Sequence, residues 1–296
     1  MQEPQANDSG SSGGQLSGTG GTERFEVLRP ERPWELFNLR ELWRYRELAM
    51  VLAVRDLKVR YKQTIVGALW AVMRPLIVMV VFTLFFRLLG RTPASGDVPY
   101  AITLYTALLP WQLFAGVVDG ASGSIVANKD LVRKIFFPRI ILPAVPIVTG
   151  LVDFFIAMLV LFAMMFYYGI APGWPILTIP FFMGMAVLTA LAIGLWISAT
   201  NALFRDFGYV VPFLVQIGFY LTPVMYETQS IIPSQWQLVF SLNPMAGVIE
   251  GFRWAVLGYA HPPATIMLCS LAMVVTLLLT GAYYFKRLER VFVDWI

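Results

Sequence analysis

Arg55 to Leu76 reads RDLKVRYKQTIVGALWAVMRPL, and in this stretch a dense run of cations turns into an apolar segment of bilayer length. Arg55, Lys58, Arg60 and Lys62 put four positive charges on one side of the passage, and Ile65 to Phe86 then runs 22 residues broken only by Thr83 and the Arg74-Pro75 pair. Lys and Arg collect on the cytoplasmic side of membrane helices, because anionic lipid holds them and they resist translocation. The stretch therefore marks a membrane boundary and predicts that everything before it is cytoplasmic.

Composition supports that reading. The 296 residues are 58% hydrophobic and 14% charged, against about 25% charged in soluble domains, so there is too little polar surface to cover a water-soluble core. Aromatic residues make up 15%, with 9 Trp, which suits side chains at home among lipid headgroups. The net charge of +4 is better matched to a lipid surface than to nucleic acid. One cysteine, Cys269, and one histidine, His261, exclude a disulfide framework and a multi-Cys/His metal site.

Residues 1–33 read as a disordered, Gly/Ser-rich cytoplasmic tail with no basic start and apolar core of a signal peptide. Residues 34–62 form the next unit. Asn38 is placed to cap a helix, with Glu41 three residues on and Phe37 and Leu42 in the staple positions. Leu39, Leu42, Trp43, Met50, Ala53, Val54 and Leu57 then recur at helical spacing while Arg40, Arg44, Glu47 and Arg55 point elsewhere. This predicts an amphipathic helix lying in the cytoplasmic interface.

Residues 63–296 are expected to be a polytopic all-α domain of six transmembrane helices, since about 20 apolar residues cross about 30 Å of hydrocarbon. The expected spans are 65–86, 100–118, 140–168, 176–200, 207–226 and 264–284. Ten Lys/Arg lie between Arg24 and Lys62, four between Lys129 and Arg139, one at Arg205 and three in the C-terminal tail, so eighteen of the 22 fall on one side. Both termini are thereby expected in the cytoplasm.

Two connections are more than turns. Asn128 to Arg139, NKDLVRKIFFPR, predicts a short basic helix capped by Asn128, with Asp130 in the first turn and Pro138 as its stop. A solvated turn has no reason to expose Ile135, Phe136 and Phe137, and an apolar patch rimmed by Lys129, Arg133 and Lys134 is a docking surface. The second connection, Glu227 to Pro263, is too apolar to be free in water. Asn243-Pro244 reads as a cap followed by proline at the first helical position, predicting a helix over 245–257. We expect a pair of short re-entrant helices dipping into the outer leaflet, with protein or a water-filled cavity covering their ends.

Taken together, Arg60-Tyr61-Lys62, Thr64, Gly67, Trp70 and Pro75, the NKDLVRKIFFPR loop ending in Leu142-Pro143, and Leu242-Asn243-Pro244-Met245 with Phe252-Arg253 resemble the type-2 ABC transporter permeases that export polysaccharides, among them the O-antigen, capsule and teichoic acid exporters. The resemblance runs from about Leu36 to the C-terminus. Arg74 departs from the uncharged polar residue expected at its position in this pattern. The resemblance implies a homodimer of six-span subunits in the cytoplasmic membrane, with two separate ATPase subunits below, moving a lipid-linked glycan outward. It makes Ile135, Phe136 and Phe137 the filling of a groove in the ATPase, oriented by Lys129, Arg133 and Lys134. The residues agree on the division of labour. No G-x-x-x-x-G-K-[ST] occurs, nor any Gly-Lys pair, so ATP and its magnesium are expected on the partner and no cofactor on this chain.

A permease for a small amphiphile or lipid is the alternative transport reading. A membrane glycosyl- or acyltransferase would need positioned acids, bases or a metal, yet the spans contain only Asp153, with Asp119 and Asp206 near their ends, and no catalytic residue is assigned. Asp153 is read as a carboxylate turned toward the bundle or the inner face, where it meets Arg or backbone donors. A glycan offers polar edges and apolar C–H faces, and aromatic rings suit a polymer that must slide past them. Trp111, Phe114, Phe219, Tyr220 and Tyr226 are the candidate conduit residues; for any one of them the alternative is a lipid-facing interfacial belt.

Overall fold

The structure of the protein is a computed structural model that describes residues 39–62, 67–90, 98–228, 232–258 and 264–295. Among these residues every regular element is helical. In chain order they are α1 (Leu39–Arg44), α2 (Arg46–Lys62), α3 (Gly67–Leu88), α4 (Tyr100–Ala127), α5 (Lys129–Lys134), α6 (Ile141–Tyr168), a 3-10 turn (Trp174–Thr178), α7 (Ile179–Leu203), α8 (Phe207–Leu221), α9 (Ser234–Ser241), α10 (Pro244–Leu257) and α11 (Ala264–Trp295). The tail of residues 1–33 and the cap built on Phe37 and Asn38 lie outside the described residues.

Among the described residues five stretches are long and apolar enough to cross a membrane: Leu69–Leu88, Tyr100–Ala127, Ile141–Tyr168, Trp174–Leu203 and Ala264–Glu289. The expected fifth span, 207–226, is shorter than predicted. It is α8, with 15 residues, about 22 Å at 1.5 Å per residue. The physical reason is Pro223, which pushes the residue before it out of the helical region; Thr222 is extended, with ψ 144°. Hydropathy alone reads through this break, because Val224, Met225 and Tyr226 are apolar.

α4 is the axis of the bundle and is buried along most of its length, whereas α3 is uncovered on nearly all sides. Small residues let the neighbours of α4 approach. A Cβ added at Gly194 of α7 would stand 2.9 Å from that of Ala121, and one at Gly150 of α6 would stand 2.9 Å from a Val117 methyl. Two buried hydroxyls are satisfied within their own helices: Thr106 donates to the Ile102 carbonyl and Thr189 to that of Met185, each at 2.7 Å.

The start of α4 meets α10, and its end leads into α5. At the α5 end a second apolar cluster joins Leu52 and Ala53 of α2, Val132 and Phe137 of the α5 segment, and Ala282 and Phe285 of α11. The face of α2 that packs there carries Leu48, Ala49 and Leu52, with Tyr45 just ahead of the helix. Of the predicted apolar stripe, Ala53 is buried, while Trp43, Met50 and Val54 are exposed. The helix has apolar residues on two faces; packing against the bundle selects one and leaves the other uncovered.

α10 is enclosed throughout, every residue from Met245 to Leu257 being buried. Its cap forms as the sequence predicts: the Asn243 side chain accepts from the Met245 N–H at 3.0 Å, with Pro244 at the first helical position. Gly247 packs so closely on Ser270 of α11 that an added Cβ would fall 2.6 Å from it, and the Ser270 hydroxyl accepts the Gly247 N–H at 2.9 Å. Gly258, at φ 70°, ends the helix in the left-handed conformation that glycine adopts without strain.

Candidate functional site

A cleft of about 850 Å³ opens between α3, α4, α6 and α8, with Arg60 of α2 at its edge. Its wall is mostly apolar. Trp70 and Ile77 come from α3, Trp111 from α4, Phe154 from α6 and Phe219 from α8. Gln112, Gln216, Arg74, Asp119 and Asp153 are the polar side chains along it.

Of the five aromatic residues predicted to form a conduit, the structure places two on this cleft, Trp111 and Phe219, with their ring centroids 5.9 Å apart. Phe114 stacks behind Trp111 at 5.2 Å and is buried in the core. Tyr220 touches Phe219 at 5.5 Å but is exposed on another face of α8. Tyr226 is not on the cleft; it belongs to the segment that follows α8. The division follows from helix geometry, since neighbours at i and i+1 point about 100° apart. Sequence reasoning missed Gln112 and Gln216, which carry no local signal.

At the edge of the cleft the Asp153 carboxylate accepts a hydrogen bond from the Tyr61 hydroxyl and pairs with Arg60 at 2.7 Å. The acid meets an arginine, as expected of it, and gains a phenol the sequence did not announce. Burial, and then the adjoining carboxylate, push the Tyr61 hydroxyl above the ordinary tyrosine range, so it stays protonated and donates. Of the remaining residues quoted for the family resemblance, Gly67 opens α3, Trp70 lines the cleft and Pro75 is buried within α3.

A second polar centre sits on α10. Arg253 is 1% exposed and donates to the carbonyls of Val224, Tyr226 at 2.8 Å and Thr103 at 3.4 Å. Its charge is balanced by Glu250 at 3.5 Å, one helical turn away. Glu250 in turn accepts the backbone N–H of Thr228 at 2.8 Å and its hydroxyl at 2.7 Å. Asn243 completes the set, donating to the Thr222 hydroxyl at 2.8 Å. The Val224 and Tyr226 carbonyls, in the irregular segment that follows α8, are thus taken up by an arginine, as buried backbone requires. The i,i+3 spacing of an acid and a base inside an apolar run was a legible sign of this pair; the partners in residues 222–228 were not.

The third candidate is the α5 segment. Lys129, Arg133, Lys134, Ile135 and Phe136 are exposed, Phe136 to 79%. Phe137 is not; at 8% exposed it is buried in the apolar cluster that also holds Ala282 and Phe285 of α11. That corrects the expectation that Phe137 belongs to the docking patch. Arg139 fixes the end of the loop by pairing with Glu289 at 3.3 Å. The predicted Asn128 cap is also absent: its amide donates backwards to the Ser124 carbonyl at 2.8 Å, closing α4 rather than opening α5.

Comparison with known proteins gives this architecture a family. Residues 47–257 match the sequence model for the ABC-2 type transporter. The chain is 29% identical over 259 residues to the O-antigen export system permease protein RfbA of Myxococcus xanthus, covering 87% of this chain and 98% of that protein. It is 31% identical over 213 residues to the RfbA permease of Klebsiella pneumoniae, covering 70% and 79%. With the polysialic acid transport protein KpsM of Escherichia coli it shares 24% identity over 245 residues, covering 80% and 92%. With five apolar helices of spanning length among its described residues and a match over most of its sequence, this multi-pass membrane protein belongs to the ABC-2 type transporter family.

Proposed function

We propose that the chain is the permease subunit of an ATP-driven exporter that moves a lipid-linked polysaccharide outward across the cytoplasmic membrane. The observation that carries this reading is the cleft lined by Trp111 and Phe219 in a chain similar, along nearly its whole length, to permeases of O-antigen export. Rings that stack on sugar faces hold a polymer weakly and release it, and two glutamines beside them can exchange hydrogen bonds with passing hydroxyls. The uncovered faces of α3 and α8 support assembly as a homodimer. Phe136, Ile135 and the cations of α5 form the surface on which a separate ATPase subunit docks, bringing ATP and magnesium that this chain does not bind.

In this reading both termini are cytoplasmic and the uncovered Trp43, Met50 and Val54 rest in the inner headgroup layer. α8 is the sixth crossing, completed on the outer side by residues 222–228 and the re-entrant α9–α10 pair. The test is loss of the gene in its own cell. Lipid-linked polysaccharide should accumulate inside, surface polymer should disappear, and a plasmid copy of the chain should restore it. Normal surface polymer without the chain would contradict the proposal.

A further inference from the structure

Arg74 is a cation inside an otherwise apolar spanning helix, about 10 Å along α3 from Gly67. Such a charge is costly unless it faces a partner or a water-filled path, and by default it marks a function. Arg74 lines the cleft and is exposed there. Among the described residues no carboxylate stands within ion-pair distance of it. Asp153, on the same cleft, is occupied by Arg60 and Tyr61, and Asp119 lies beyond pairing distance. Gln112 of α4 and Gln216 of α8 line the same space and add amide donors.

We propose that Arg74, with Gln112 and Gln216, forms an oxyanion subsite within the cleft, taking a phosphate or a carboxylate of the transported molecule. A guanidinium binds either anion through two parallel N–H bonds, and the apolar wall around it strengthens the contact. The subsite turns a path that accepts neutral sugar faces into one that also reads charge. It rests on the export reading for the origin of the anion, which is the lipid carrier's phosphate or an acidic sugar; binding itself is measured without transport.

The test uses the full-length chain purified with its ATPase subunits and native mass spectrometry of bound ligand. The probes are a C15 isoprenyl diphosphate, the matching neutral isoprenol, a trigalacturonate and maltotriose. In R74Q, binding of an anionic probe should weaken about ten-fold or more, the loss of one charge-assisted contact, while R74K, which keeps the charge but not the two parallel bonds, loses less than R74Q, and the neutral probes are unaffected. Weakening of the diphosphate alone assigns the anion to the lipid carrier, and weakening of the trigalacturonate alone assigns it to the sugar. Should R74Q fail to assemble, phenylglyoxal modification of Arg74 in the unaltered complex decides, since a bound anion must slow it. Equal anion binding by the unaltered chain and R74Q, no anion binding by the unaltered chain, absence of protection, or recovery of R74D by D119R would each overturn the subsite. Export by the unaltered chain with no effect of R74Q on binding would sink the subsite alone and leave the export reading standing.

Discussion

The α10 end and the cleft each hold arginine in apolar surroundings, and the protein treats the two charges in opposite ways. Arg253 is enclosed, balanced by Glu250 and bonded to three backbone carbonyls. Arg74 is exposed to the cleft, with no carboxylate in pairing distance among the described residues. A charge enclosed, balanced and bonded by the fold is a structural pin. One left open to a cavity is available to whatever passes. Burial and partners, rather than residue type, separate scaffold from site.

The sharpest break of this comparison is Arg253→Leu. It strands the Glu250 carboxylate and the Val224 and Tyr226 carbonyls in the interior, and breaking a buried pair from one side costs about 3–5 kcal/mol. Detergent-solubilised protein should lose its thermal transition or fail to accumulate, while Arg74→Gln leaves folding intact; near-normal melting of the Arg253 variant would undo the assignment. The α5 segment offers the same contrast among aromatics. Phe137→Ala should cost about 3–5 kcal/mol through the cavity it leaves in the apolar cluster around it. Phe136→Ala should leave melting unchanged and instead reduce copurification of the ATPase.

A smaller effect is expected at Gly251, where an added Cβ would come within 2.1 Å of the Phe182 ring. Gly251→Ala should destabilise by about 1–3 kcal/mol, and an unchanged melting temperature would show that α10 can shift as a body. Smallest is Tyr61→Phe, since hydrogen bonds inside membrane proteins average about 0.6 kcal/mol and Arg60 still holds Asp153. Stability should barely move, and a large loss would mean that α2 is pinned to the bundle through this contact.

The parts of the structure legible in sequence are those whose signal is local. Asn243-Pro244-Met245 specifies its own cap in three residues, and the cap forms. The apolar runs announced the long helices because length and composition suffice. What required distant partners was not legible. Phe137 turns inward into an apolar cluster assembled from residues of α2, α4, α6, α7 and α11, and the packed face of α2 is chosen by the bundle. α8 stops early at Pro223, and the irregular segment after it is held by Arg253 from a distant helix. The cleft itself exists only where four helices diverge, so Trp111 and Phe219 share it while Tyr220, one residue away, does not.

The central claim, that the cleft between α3, α4, α6 and α8 is the path of the polymer, is tested most directly by single leucine replacements at matched expression, read as surface polymer per permease molecule. Trp111→Leu and Phe219→Leu should lower it and accumulate lipid-linked glycan inside, with ATPase copurification unchanged, while Tyr220→Leu and Tyr226→Leu export normally. Normal export by both cleft variants, or equal losses at all four positions, would contradict the account.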